Sequence, residues 1–184
     1  MPKKLPHILF SLLLMLSFAA AAVTPALADG PAEDKKAARH EIHFMQDMID
    51  HHHMAVMQAE LCLDKAETPA LLSMCENIIA AQNMEITTMQ SWLLDWYAVD
   101  YDPAMNMNHL RPLKRLSGAD FEVRFMQTMT RHHKAALRSA EKCLARAEHT
   151  ALADTCQSII DSQTQEIQTM KTWLCDWYAI CKKS

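Results

Sequence analysis

The chain has 184 residues, 18 Lys and Arg against 22 Asp and Glu, a formal net charge of −4, and two glycines, Gly30 and Gly118. An acidic chain without a basic stripe argues against nucleic acid as a partner, and so few glycines leave little turn chemistry for a sheet. Ala, Met, Leu, Gln, Glu and Lys dominate, which favours helix.

The first element is a targeting segment. Lys3 and Lys4 precede an apolar run from Ile8 to Val23, and Ala26-Leu27-Ala28 closes it with small residues. Residues 1–28 read as a secretory signal peptide cleaved after Ala28, giving a periplasmic chain with no stable membrane insertion. The run is short for a spanning helix. Without Lys3 and Lys4 the chain carries 16 basic and 22 acidic residues, net −6.

Residues 29–36 read as a polar, disordered arm. A helical pattern then runs from about Ala37 to Lys65. Thr68-Pro69 supplies an N-cap and first-turn proline for a second helix reaching about Tyr97. Pro103, Asn106, Asn108 and Pro112 mark residues 99–117 as a linker. Ser117-Gly118-Ala119-Asp120 resembles a capping box and opens a third helix. A fourth follows Thr150 and ends near Tyr178, leaving 181–184 as a tail. The expected fold is all-α: an antiparallel four-helix bundle of two hairpins, 37–98 and 118–180, with helices roughly 40 Å long.

The hairpins are copies. Residues 44–99 return without a gap as 125–180, about half of them identical. Six cysteines in an oxidising compartment suggest disulfides. Cys62 and Cys75 sit at equal distances from the first turn, and Cys143 and Cys156 from the second. A staple across each hairpin is the expectation, worth about 3 kcal/mol for loops of this size; buried thiols or thiolate ligands are the other reading. Cys175 and Cys181 lack counterparts in the first copy. A straight helix would place them poorly for bonding, so pairing requires a frayed end.

A staple at Cys62–Cys75 sets the hairpin register. It puts His52 opposite Glu85 and Met48 opposite Met89. In the second copy it puts His133 opposite Glu166 and Met129 opposite Met170. Positions 48, 52, 55, 59 and 62 keep to one helix face, as do 75, 78, 82, 85 and 89. Met45 and Met126 add a thioether one turn away. His51 and His132 lie one residue off the seam and either complete a site or face the neighbouring hairpin. Thioether and imidazole ligands, with cysteine tied up, suit copper and Cu(I) above all, whereas zinc wants Cys, His and carboxylate. Glu85 and Glu166 would ligate weakly or hold the second imidazole nitrogen. The structural alternative is methionine as core filler, with each seam His hydrogen-bonded to its Glu.

Off the seam, His53, Met54 and Met57 fall on an outer face, and Met105-Asn106-Met107-Asn108-His109 has the spacing of a flexible copper-collecting segment. Solvated surface is the competing reading for both. No C-x-x-C-H, Glu-x-x-His, H-E-x-x-H or G-x-S-x-G occurs, so no common haem-attachment, di-iron, zinc-protease or hydrolase motif supports an enzyme. Non-covalent haem between His and Met remains open.

Phe44-Met45-x-x-Met48-x-x-His51-His52-x-x-Ala55 with Ile79-x-x-Gln82-x-x-Glu85-Ile86-x-x-Met89-x-x-Trp92-Leu93 resembles a bacterial family, Domain of Unknown Function 305. The pattern recurs from Phe125 to Ala136 and from Ile160 to Leu174. The resemblance implies an exported, ferritin-like helical bundle, and extends to a periplasmic copper-binding member linked to copper tolerance. Lys134, Ala135 and Arg138 depart from the first copy, so the second site would be weaker.

The expected function is an exported, non-enzymatic copper-binding protein that sequesters or transfers Cu(I), with Ag(I) as its analogue. It would hold about one ion per hairpin through Met45, Met48, His51, His52, Glu85 and Met89, and through Met126, Met129, His132, His133, Glu166 and Met170. Its partners would be the metal ion and a copper-exporting or copper-accepting protein. The alternative is a metal-free periplasmic adaptor or stress protein that binds other proteins along a helix face.

Overall fold

Four long helices carry the chain: α1 (Lys35–Lys65), α2 (Pro69–Tyr97), α4 (Gly118–Leu144) and α5 (Thr150–Tyr178), with a short α3 (Arg111–Lys114) in the connector. A computed structural model describes residues 30–104 and 107–181. Among them no strand occurs, and no helix is long and apolar enough to cross a membrane. The expected signal peptide lies outside the described residues.

Local chemistry explains the helix ends. Asp34 caps α1 by accepting from Ala37 N–H at 3.2 Å. Pro69 occupies the first turn of α2, where its missing N–H is no loss. Both α2 and α5 end in an alanine at positive φ, Ala98 and Ala179. The following N–H groups, of Val99 and Ile180, return to Leu93 and Leu174 at 2.9 Å, closing the two ends alike. Ser117 stands at the N-cap of α4, but its side chain makes no capping bond, so the expected capping box does not form. Helix α5 starts at Thr150 with His149 at its N-cap.

Helices α1 and α2 pack together, as do α4 and α5. Each pair is stapled, Cys62–Cys75 and Cys143–Cys156, with Cα atoms 6.3 Å apart in both. Cys175 and Cys181 are also bonded. The αL turn at Ala179 ends the helix and brings Cys181 back towards it, which a continuous helix could not do.

The two hairpins meet chiefly through α1 and α4 and run head to tail. One core joins Phe44, Met45, Met48, Met89 and Trp96 to Ala140, Cys143 and Cys156. The other joins Phe125, Met126, Met129 and Met170 to Ala59, Cys62 and Cys75. The stapled end of each hairpin therefore lies beside the methionine-rich end of the other.

Two segments are more ordered than expected. Helix α1 starts at Lys35, inside the polar arm, and Gly30 O lies 2.8 Å from His149 Nε2. The connector holds a 3-10 turn (Met107–Leu110) and α3, with Leu110 and Leu113 buried. Lys65 Nζ donates to the carbonyls of Lys114 and Leu116 at 3.0 and 2.9 Å, tying the connector to the end of α1. This turn packs on α1, and Met57 is buried instead of lying on an open outer face. Met105 and Asn106 lie outside the described residues.

Candidate metal centre

The seam begins as geometry. Helices that rise equally from a common staple place equidistant residues level with each other. His52 Nε2 lies 2.6 Å from Glu85 Oε2, and His133 Nε2 lies 2.6 Å from Glu166 Oε2. The second pair is a well-aligned hydrogen bond; the first is close but poorly aligned. Both imidazoles are fully buried, while the carboxylate side chains keep 17% and 22% of their exposure. Each pair thus has a dry inner end and a wet outer end.

Met48 and Met89 are buried in the core shared with Met45, and Met129 and Met170 in the core shared with Met126. One turn of helix separates Met45 from Met48 and Met48 from His51 and His52, so these side chains share a face. Below them Trp92 stacks on Trp96 at 4.9 Å, and Trp96 stacks on His149 of the other hairpin at 3.9 Å.

The off-seam histidines turn to each other across the hairpin interface. His51 and His132 have ring centroids 3.6 Å apart, with planes inclined by 34°. They are equivalent residues of the two copies, so they mark the pseudo-two-fold centre of the molecule. None of their four ring nitrogens makes a hydrogen bond of good geometry, although all are shielded from water. The Nδ1 atoms of His52 and His133 share this condition. Burial drives the His51 pKa down to about 3, with the charges of His52 and His133 adding to it. Burial, then His51, His133, His52 and His109, drives His132 well below its usual value. The His51 and His132 imidazoles are therefore neutral, the form that binds metal.

An unpaired shielded nitrogen costs about 1–3 kcal/mol, so a cluster of them needs an explanation. Thioether and neutral imidazole are ligand types that suit soft monovalent ions. Among the described residues, no group of three or more His, Cys, Asp and Glu is placed to hold a metal. Any ion here would rely on methionine together with histidine.

Two carboxylates escaped the sequence reading. Glu41 and Glu122 are buried at 0% and 2% exposure. Glu41 accepts from the N–H groups of Glu148 and His149 at 2.6 and 3.1 Å. Glu122 accepts from those of Glu67 and Thr68, each at 2.8 Å, and from the Thr68 hydroxyl at 2.7 Å. Tyr97 donates to Glu41 at 2.5 Å, and Tyr178 donates to Glu122. The available signal is that Glu41 recurs as Glu122 at the repeat offset, three residues before the duplicated segment that starts at Phe44.

The chain belongs to a family described as a domain of unknown function, DUF305, which matches residues 41–174. Among solved structures it is similar to CopM. The Cu(I)-bound form is 31% identical with a TM-score of 0.70, covering 75% of this chain and 97% of CopM. The apo form is 33% identical with a TM-score of 0.68, covering 75% and 98%. CopM is also known with Cu(II) and with Ag bound. A DUF305 protein from Streptomyces coelicolor shares the fold at 23% identity and a TM-score of 0.67, covering 74% and 91%. No curated protein matched the sequence.

Proposed function

We propose that this chain is an exported copper-binding protein that sequesters or transfers Cu(I), and Ag(I) by the same ligands, through exchange and not turnover. The frame we infer is an antiparallel four-helix bundle built by duplication of a hairpin. The observation that carries the reading is the set of shielded imidazole nitrogens that make no well-formed hydrogen bond, on helices whose adjacent turns carry buried methionines. His51 and His132 would contribute from the hairpin interface. His52 and His133, oriented by Glu85 and Glu166, would contribute from inside each hairpin with Met48, Met89, Met129 and Met170. Met45 and Met126 would form a second soft layer. Similarity to CopM, which is known with Cu(I), Cu(II) and Ag bound, supports copper as cargo. The disulfides support an oxidising compartment, consistent with a periplasmic chain cleaved after Ala28.

The test is competition for Cu(I) against a chromophoric chelator without added thiol. The wild-type chain is expected to retain copper, and His52→Ala with His133→Ala, or His51→Ala with His132→Ala, to lose it. Unchanged retention in both double variants would remove this centre from consideration and favour a metal-free helical module.

A further inference from the structure

The outer groove between the paired helices is filled in one repeat and, among the described residues, open in the other. In the first hairpin the chain leaves α2 at Ala98 and crosses back over α1. Gln90 Nε2 donates to the Tyr101 carbonyl at 2.9 Å. The Tyr101 hydroxyl and the Ala104 N–H donate to the two Asp50 oxygens at 2.9 and 2.8 Å. Val99 and Tyr101 pack on the core, and Ile49 beneath them is fully buried.

In the second hairpin the residues at the places of Asp50 and Gln90 are Arg131 and Lys171. No segment of the described residues crosses them. They line a cavity of about 620 Å³ together with Lys134, Thr130 and Leu174. The Oγ1 of Thr130, a residue 8% exposed, makes no hydrogen bond. The Cys175–Cys181 bond ties the chain after Ala179 back to α5. Lys182 and Lys183, which follow, carry the same charge as the groove.

We propose that this groove docks an acidic, extended peptide segment of a partner protein. The first repeat supplies the template: about six residues outside any helix, an aromatic ring over the apolar floor, and polar anchors at the places of residues 50 and 90. The second repeat reverses the charge of the anchor, from one carboxylate to Arg131 flanked by Lys134 and Lys171, with Asp176 as the acidic member of the lining. Arginine grips a carboxylate with two parallel bonds, so the occupant that fits carries Asp or Glu beside its ring.

The probe is a fluorescein-labelled peptide with the sequence of residues 99–104, which has two aspartates around a tyrosine. Its control has both aspartates replaced by lysine. Binding is followed by anisotropy with the oxidised, full mature protein. The acidic peptide is expected to bind at least tenfold tighter than its control and to weaken with salt. Arg131→Glu with Lys171→Glu is expected to abolish binding, while Lys35→Glu with Arg39→Glu, an equal charge change elsewhere, leaves it. Circular dichroism verifies that both variants fold. Equal binding of the two peptides, retention in the groove variant, or full displacement by millimolar inorganic phosphate would each overturn the proposal. So would binding that arises only when residues 182–184 are removed, because the chain's own tail would then be the occupant.

Discussion

Glu41 of the first hairpin accepts from His149 of the second, at 2.6 Å from Nδ1 and 3.1 Å from the backbone nitrogen. Neither α2 nor α5 has a capping bond from its own N-cap side chain. Each is braced from the opposite hairpin at its N-cap N–H and the N–H before it, α5 by Glu41 and α2 by Glu122. A carboxylate at a helix N-terminus satisfies orphan N–H groups and complements the helix dipole.

Glu41→Ala or Glu122→Ala is therefore expected to destabilise the fold by about 2–3 kcal/mol, since charged buried hydrogen bonds are lost and N–H groups are stranded. For a chain of this size that lowers Tm by roughly 5–10 °C. Thermal melts of the single variants measure it. Tyr178→Phe, which removes one donor, should cost about 1 kcal/mol.

The same pair sets an acid limit. Burial raises the pKa of each carboxyl, but hydrogen bonds outweigh it, led by Tyr97 at Glu41 and by Tyr178 at Glu122, and hold both below the ordinary 4.5. The unfolded chain takes up these protons first as pH falls. The contribution to stability is complete above about pH 4.5 and is lost below it. Urea titrations from pH 6 to 3 should show a steep loss in the wild type and a shallower one in Glu41→Gln with Glu122→Gln.

The shielded histidines predict a conflict between stability and binding. His51→Leu with His132→Leu removes nitrogens that make no well-formed hydrogen bond and is expected to stabilise the metal-free protein by about 1–3 kcal/mol while abolishing copper retention. The pH dependence has a definite sign. His51 is lowered from 6.5 to about 3 in the folded chain, so the unfolded chain binds the extra proton between these values. Metal-free stability should fall as pH drops below 6.5, less so in the double variant. Denaturant midpoints at pH 7.5 and 5.5 compare the two.

Head-to-tail packing makes the staples act at a distance. Cys62→Ser with Cys75→Ser should cost about 3 kcal/mol. Local loosening should appear around Phe125, Met126 and Met129, which share a core with that bond, more than around Phe44 and Met48. Hydrogen exchange resolved by segment distinguishes the two regions.

The sequence shows most clearly what one hairpin decides by itself. The stripe through Met48, His52, Ala55, Ala59 and Cys62 follows from helical periodicity, and the level of His52 with Glu85 follows from equal rise below a staple. Contacts between hairpins had no such ruler. The meeting of His51 with His132 depends on how α1 slides against α4, which no covalent bond indexes. Thr68 has the right type and place for an N-cap, yet its hydroxyl donates to Glu122, a partner 54 residues away. Connector order was hidden because Leu110 and Leu113 lie between prolines and asparagines, with too few turns for a period to emerge.

The His51–His132 ring contact places a residue against its own duplicate, as happens on the axis of a symmetric homodimer. A solitary hairpin would have to find a second copy to bring two such rings together. Joining both halves in one polypeptide replaces that encounter with an intramolecular one, at an effective concentration in the millimolar range. Assembly of the centre thus becomes independent of how dilute the protein is, and the halves are free to diverge, as Asp50 and Arg131 have.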